Sequence, residues 1–463
     1  MKFSRIRFAV LAFALSIAAI VALQGIFVAS LVVLRMHTGI AAIRVHVLEA
    51  FDQGVLSDDQ VPRIRILAGG HQFTECVSLN LALDPQPNPW VAALLPRLHF
   101  HMVDPCRELH RAAAAGADVT EMTDYSRYWH GYRLLLWPAL EHLGVVGLRV
   151  VSAMLIALAV GLLYLGLRAA IGFTPALILL GVFALQTDLV RIWQVATHAL
   201  GMAVILGGAG SFAIAVNRRS FGPGLVVFAA VLGAVFNFFD FLVNPPMMPM
   251  LLSFLVLAVM SDRSRNGAAS DHADSWWDGD WRSSLTMAAL VAGGWFLGYA
   301  ATWASKWALA IWLADNRAET LALIVDLILF RLHNIEPAPI ISRAPIVPTI
   351  RMVLKSFQAL GTPVLLAVIA AIAIRVRDGG SSFDRRRFYL LISPLLIPLL
   401  WFEVLSAHTQ QHLNFASRSA AAALAVLLTA VVMATRPAVS VGMLWNGLRD
   451  AVLWRRPPHA RDS

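Results

Sequence analysis

Apolar stretches of about twenty residues recur along the whole chain, and this constrains its fold more than any other feature. A hydrocarbon core about 30 Å thick takes roughly 20 apolar residues of helix to cross. The runs are continuous rather than alternating, so they read as helices and not as strands of a transmembrane barrel. Of the 463 residues, 58% are hydrophobic and 14% charged, against about 45–50% and about 25% in soluble domains. That balance excludes a disordered chain, a nucleic-acid-binding scaffold and an ordinary soluble enzyme. The expected fold class is all-α: a polytopic transmembrane protein of about ten helices with a long first extracytoplasmic loop.

Lys2, Arg5 and Arg7 precede an apolar stretch from about Phe8 to Leu34. A cleavable signal has an apolar core of roughly 7–15 residues. This one is too long, so it reads as a retained first helix with its N-terminus inside. Four regions follow: a first helix over 1–35, an extracytoplasmic loop or small domain over 36–131, a helical bundle over 132–434 and a basic cytosolic tail over 435–463. The segment Tyr132 to His142 reads as amphipathic and interfacial, with helix two from about Gly144 to Leu167. Later helices are expected over 171–185, up to 216, over 221–241, up to 260, over 284–304, before the 375–387 segment, over 388–405 and over 420–434. Residues 186–198 are semi-polar. No repeat of fixed period and no folded soluble catalytic domain stand out.

The net charge is +9. In a soluble protein that would point to nucleic acid. Here the short basic connections 217–219, 261–283 and 375–387 and the tail with Arg455 and Arg456 all fall on one side of a ten-helix chain. Positive charge in short cytosolic loops is the expected bias, and it suits anionic lipid.

Polar groups in or beside the apolar helices carry the functional information, because burying them is costly unless they are paired or used. Most map to the outer side. Glu75 in Gly70–Cys76, preceded by Asp52, Asp58 and Asp59, is a general base, a metal ligand or a solvated loop acid. The run Tyr125–Tyr132 reads as an interfacial aromatic belt in which Arg127 and His130 can also meet an anionic headgroup. Asp240 sits among Phe236, Phe238, Phe239 and Phe241, so it must face a polar cavity, pair with a cation or be protonated. Lys306, one of three lysines, is flanked by Trp303 and Trp307 and either binds phosphate or snorkels to headgroups. His408 and His412 are four apart and share a helix face, but no third ligand is evident, so substrate contact is the better reading than zinc. Arg418 at the mouth of the last helix suits a phosphate clamp.

Two motifs are discounted. Asp278-Gly279-Asp280 lies among Trp276, Trp277 and Trp281 with no strand before it, and Gly207-Gly208-Ala209-Gly210 suits helix packing better than phosphate cradling. Cys76 and Cys106 fall in the first loop, either as a disulfide or as two free thiols. A disulfide there would be worth about 3–4 kcal/mol by the chain-entropy argument.

The architecture resembles the GT-C superfamily of integral membrane glycosyltransferases. The segments YSRYWHGY (125–132), FNFFDFLVNPP (236–246) and GYAATWASKW (298–307) also resemble a group of bacterial membrane proteins of cell-surface polysaccharide assembly. In that group a threonine–acid pair precedes a leucine–asparagine; Thr74-Glu75 and Leu79-Asn80 stand at those positions, with Glu where the group has Asp. The resemblance implies a bacterial inner-membrane enzyme with a polyprenyl-phosphate-linked sugar as donor and a glycan or lipid as acceptor, and the charge bias puts both termini in the cytosol. Glu75, Asp240 and His130 would be catalytic, and Arg127, Lys306, His408, His412 and Arg418 would bind substrate. Metal dependence is left undecided. A lipid-linked-sugar flippase and a non-enzymatic envelope assembly subunit are the rival expectations.

Overall fold

The computed structural model describes residues 2–60, 72–99, 104–116, 122–187, 189–218, 221–240, 244–265, 280–333, 382–405, 408–409 and 413–436. Among them the chain is almost wholly helical. Six helices are long and apolar enough to cross a membrane: Ile6–His37, Arg133–Ile171, Ala196–Arg218, Met247–Ser264, Trp281–Leu313 and Arg385–Val404. They coincide with the expected first, second, fourth, sixth, seventh and ninth helices. The third, fifth and tenth appear as the shorter apolar helices Phe173–Leu185, Pro223–Phe239 and Arg418–Ala434. The eighth lies outside the described residues.

In chain order the bundle is built from α1 (Lys2–His37), then, after the first loop, α6 (Arg133–Ile171), α7 (Phe173–Gln186), α8 (Leu189–Ile192), α9 (Ala196–Arg218), α10 (Pro223–Phe239), α11 (Met247–Arg265), α12 (Trp281–Leu313), α13 (Arg317–His333), α14 (Arg385–Ile392), α15 (Leu396–Val404) and α16 (Leu413–Ala434). The apolar sides of these helices face lipid-like exposure outwards, as at Val10, Val21, Leu158 and Leu165, all more than half exposed. Small residues let the inner faces approach. A Cβ on Gly210 of α9 would lie 2.6 Å from the Leu162 carbonyl of α6, so the 207–210 glycines are indeed a packing seam. The expected boundary between an interfacial segment and helix two at Gly144 survives as a break inside α6. Gly144 adopts φ +67°, ψ −173°, a backbone open to glycine and closed to most other residues.

The 36–131 region, expected as a loop or small domain, is folded where it is described. It contains α2 (Ile40–Asp52), α3 (Phe73–Asn80), α4 (Pro89–Leu94) and α5 (Pro105–Ala115), with β1 (Arg97–His99) and β2 (Met122–Asp124) paired antiparallel. Its helices are short, so they carry little periodic signal. Local chemistry starts them: Asn88 accepts from the Trp90 and Val91 amides ahead of Pro89. Cys76 and Cys106 form a disulfide that ties α3 to α5. Asp84 accepts from the Arg97 amide at 3.0 Å, and Arg35 at the end of α1 donates to the carbonyls of Asp84 and Gln86.

The two ends of the bundle differ. At one, Arg263 donates to the Val216 and Asn217 carbonyls, Arg387 pairs with Asp262, Arg386 lies 3.7 Å from Asp280, and β3 (Ser382–Phe383) pairs with β4 (Thr435–Arg436). This is the basic end. Asp280 is thus the residue preceding α12, near an arginine; Asp278 and Gly279 lie outside the described residues. The folded first loop sits at the opposite end.

Candidate functional site

Nearly every polar candidate gathers at the first-loop end. The Tyr125–Tyr132 segment does not lie flat as an interfacial belt. It dips into the bundle, where Trp129 donates to the Thr302 carbonyl of α12 at 2.7 Å and the Gly131 amide to the Phe238 carbonyl of α10 at 2.8 Å. Trp129 and Phe27 of α1 pack edge to face, and Phe27 stacks on Phe238. Three helices are thereby pinned to one loop.

His130 is 1% exposed and holds a left-handed backbone, φ 57°. Its Nε2 lies 2.8 Å from the Tyr125 carbonyl, which can only accept, so Nε2 carries the proton. Nδ1, 3.1 Å from the Tyr132 hydroxyl, is then the acceptor. Burial, and after it the charges of Arg133, Lys306 and Arg127, push its pKa well below the usual histidine range, against the Tyr125 hydrogen bond. A neutral imidazole with both nitrogens occupied is a support for the loop.

Lys306 does not reach headgroups, since it is 1% exposed. Its ammonium donates to the Leu94 carbonyl at the C-terminus of α4, with the Trp129 ring 5.9 Å away. Arg133 donates to the neighbouring Ala92 and Ala93 carbonyls. Two buried cations therefore close the negative end of one short helix, as the helix dipole favours. Neither is in contact with a carboxylate among the described residues. Snorkelling is excluded for Lys306, because the amine is drawn inward to unsatisfied carbonyls.

Arg127 lies over the Tyr125 ring at 4.4 Å and the Tyr128 ring at 5.5 Å, and its carbonyl accepts from the Trp307 indole. Burial pushes the Tyr125 phenol up to about 12. Arg331 of α13 donates to the Tyr128 hydroxyl at 2.9 Å and lies over the Trp303 ring at 5.4 Å. The result is an aromatic cage holding two guanidiniums.

Asp240, just past α10, is 6% exposed and faces α9: a Cβ on Gly201 would come within 3.2 Å of its Oδ1. His198 stands one turn before Gly201 on the same face of α9, and the charge of Arg418 bears on it. Ser419 is 3.5 Å from Asn244, which begins the turn into α11. So Asp240, His198, Arg418 and Asn244 form a second polar group at this end. His408 is half-buried in a short helical stretch, and His412 lies outside the described residues. Among the described residues no group of three or more His, Cys, Asp or Glu side chains converges on a metal position.

Glu75 is the largest departure. It is 1% exposed, and Arg149 of α6, equally buried, grips both its oxygens at 3.0 and 2.7 Å. A carboxylate held bidentate by a buried guanidinium has both oxygens engaged in one fixed geometry. The geometry casts Glu75 as the residue that docks α3 onto the bundle.

Arg133, Arg149, Arg331 and His198 were not singled out from the sequence. A signal existed: each is an ionisable residue within or at the edge of an apolar helix, which by itself marks a group with a partner or a task. No family model, curated protein or solved structure matches the chain.

Proposed function

We propose that the protein is an integral membrane glycosyltransferase of GT-C type, taking its sugar from a polyprenyl-phosphate carrier at the outer face of a bacterial inner membrane. The first-loop end would face outward and the basic end and both termini the cytosol, in line with the positive-inside bias. One observation carries the reading. Arg133 and Lys306 are buried at this end with no carboxylate in contact among the described residues, and Arg127 and Arg331 stand in the adjoining aromatic cage. A desolvated positive field with aromatic walls favours a phosphate-bearing ligand.

In this reading the acceptor hydroxyl oxygen attacks the anomeric carbon as the bond from that carbon to the carrier phosphate breaks, and the hydroxyl proton passes to the departing phosphate. The electron pair goes to the phosphate, where the surrounding cations stabilise the growing charge. A single displacement inverts the sugar. Glu75 holds the first loop in place, and Asp240 orients the groups around it.

The test is mass spectrometry of lipids co-purified in mild detergent from the parent and from an Arg418→Ala, Lys306→Met variant. The expected result is a polyprenyl phosphate or its glycoside in the parent and its loss in the variant. No such lipid in either overturns the reading and moves the assembly-subunit alternative forward. Carrier movement across proteoliposomes without sugar transfer would instead identify a flippase.

A further inference from the structure

A cleft of about 700 Å³ opens beside the aromatic cage, between the end of β2, Trp307 of α12 and one side of α13. One wall is polar. Asp124 accepts from the Ser126 amide at 2.8 Å and from the Ser126 hydroxyl at 2.9 Å, and Arg127 stands next to it. A carboxylate offers about four acceptor positions, so two remain for a ligand. The opposite wall is the face of α13 that carries Thr320, Leu323, Ile324, Leu327 and Phe330, spaced by three and four, with Asp326 at its flank.

The outer face of α13 is apolar too: Leu321 and Val325 are 50% and 42% exposed. Together with Leu323, 55% exposed, they form an apolar strip between the charged ends of α13, which suits contact with lipid. Its C-terminal end is fixed to the cage by Arg331. The cleft thus has a hydrocarbon side and a hydrogen-bonding side.

The cleft adjoins the cation-rich cluster through Arg127, but its own lining adds two carboxylates. Asp124 and Asp326 line it against the single guanidinium of Arg127. Two carboxylates repel a phosphate but accept well from hydroxyls. Trp307 adds an aromatic face on which the C–H side of a sugar ring can lie.

We propose that this cleft binds a neutral glycolipid, its sugar hydroxyls donating to Asp124 and Asp326 and its chain lying along Leu323, Leu327 and Phe330. As the acceptor site this rests on the transferase reading; the binding itself does not. The acceptor would then be lipid-anchored and uncharged near the membrane, distinct in charge from the donor.

The test uses the full chain in lipid nanodiscs, with dodecyl glucoside brominated along its chain as probe. Bromine quenches nearby indoles, and comparison with Trp307→Phe isolates the Trp307 signal. The expected result is saturable quenching, absent in Trp307→Phe and at least tenfold weaker in Asp124→Asn, Asp326→Asn. Brominated dodecyl phosphate should bind at least tenfold more weakly than the glucoside. Equal quenching by brominated dodecanol, stronger binding of the phosphate, or unchanged binding in the double variant would overturn the proposal. Should that variant fail to fold, Leu327→Phe, which narrows the cleft without adding an indole, must weaken glucoside quenching at least tenfold. The two readings fail separately. Glucoside binding without a co-purified carrier leaves the glycolipid site and removes the transferase; a carrier without glucoside binding removes only the cleft assignment.

Discussion

Replacing Glu75 by Gln separates a docking role from a catalytic one. Glu75 and Arg149 are each 1% exposed and share two hydrogen bonds of 3.0 and 2.7 Å. Gln keeps the shape and one acceptor but removes the charge that faces the buried guanidinium. Breaking a buried pair in this way costs about 3–5 kcal/mol, whereas replacing both partners with apolar residues of similar volume is close to neutral. Because the pair joins α3 to α6, the cost should fall on the docking of the first loop. At about 1.4 kcal/mol per factor of ten, the undocked population rises on the order of a hundred- to a few-thousand-fold. Hydrogen–deuterium exchange of the amides over 73–83 reads that change directly. Glu75→Gln should exchange faster by that factor, and Glu75→Leu, Arg149→Met should return to near the parent. Unchanged exchange in Glu75→Gln together with complete loss of transfer would refute the docking argument and restore Glu75 as the base.

Cys106→Ser opens a loop with ends 30 residues apart and should destabilise the first-loop unit by about 3–4 kcal/mol, seen as a lower unfolding midpoint and a newly maleimide-reactive Cys76. His130 has its pKa depressed by burial, so the unfolded chain binds the proton more readily. Stability should therefore fall as pH drops through the usual histidine range near 6.5. His130→Asn, which tolerates the left-handed backbone, should lose less stability than the parent between pH 7.5 and 5.5 in thermal unfolding. Gly210→Leu drives a side chain into the α6 backbone, and should cut the yield of monodisperse protein sharply in size-exclusion chromatography.

The spanning helices and most of their ends were legible because their signals are local. An apolar run, a basic connection and a glycine at 144 are each read within a few residues, and the structure places helices where those signals stand. The glycines at 207–210 were legible as a packing seam for the same reason. The helices of the folded first loop were not, since runs of six to thirteen residues flanked by polar chain show too few turns to display a period.

The candidate residues divide along the same line. Sequence marked Glu75, His130, Asp240, Lys306 and Arg418 as polar groups in apolar surroundings, and that is what they are. It could not say what each touches. Glu75 meets Arg149 across 74 residues, Trp129 meets Thr302 across 173, and Lys306 meets Leu94 across 212. Those partners exist only once the helices have assembled. Composition and periodicity therefore determined that this chain is a bundle of membrane-length helices with charge sorted to its ends. Which buried charges are capped, which are paired and which border an open cleft was decided by tertiary packing, because the energy of a buried ion depends on what lies within a few ångströms of it and not on its neighbours in the chain.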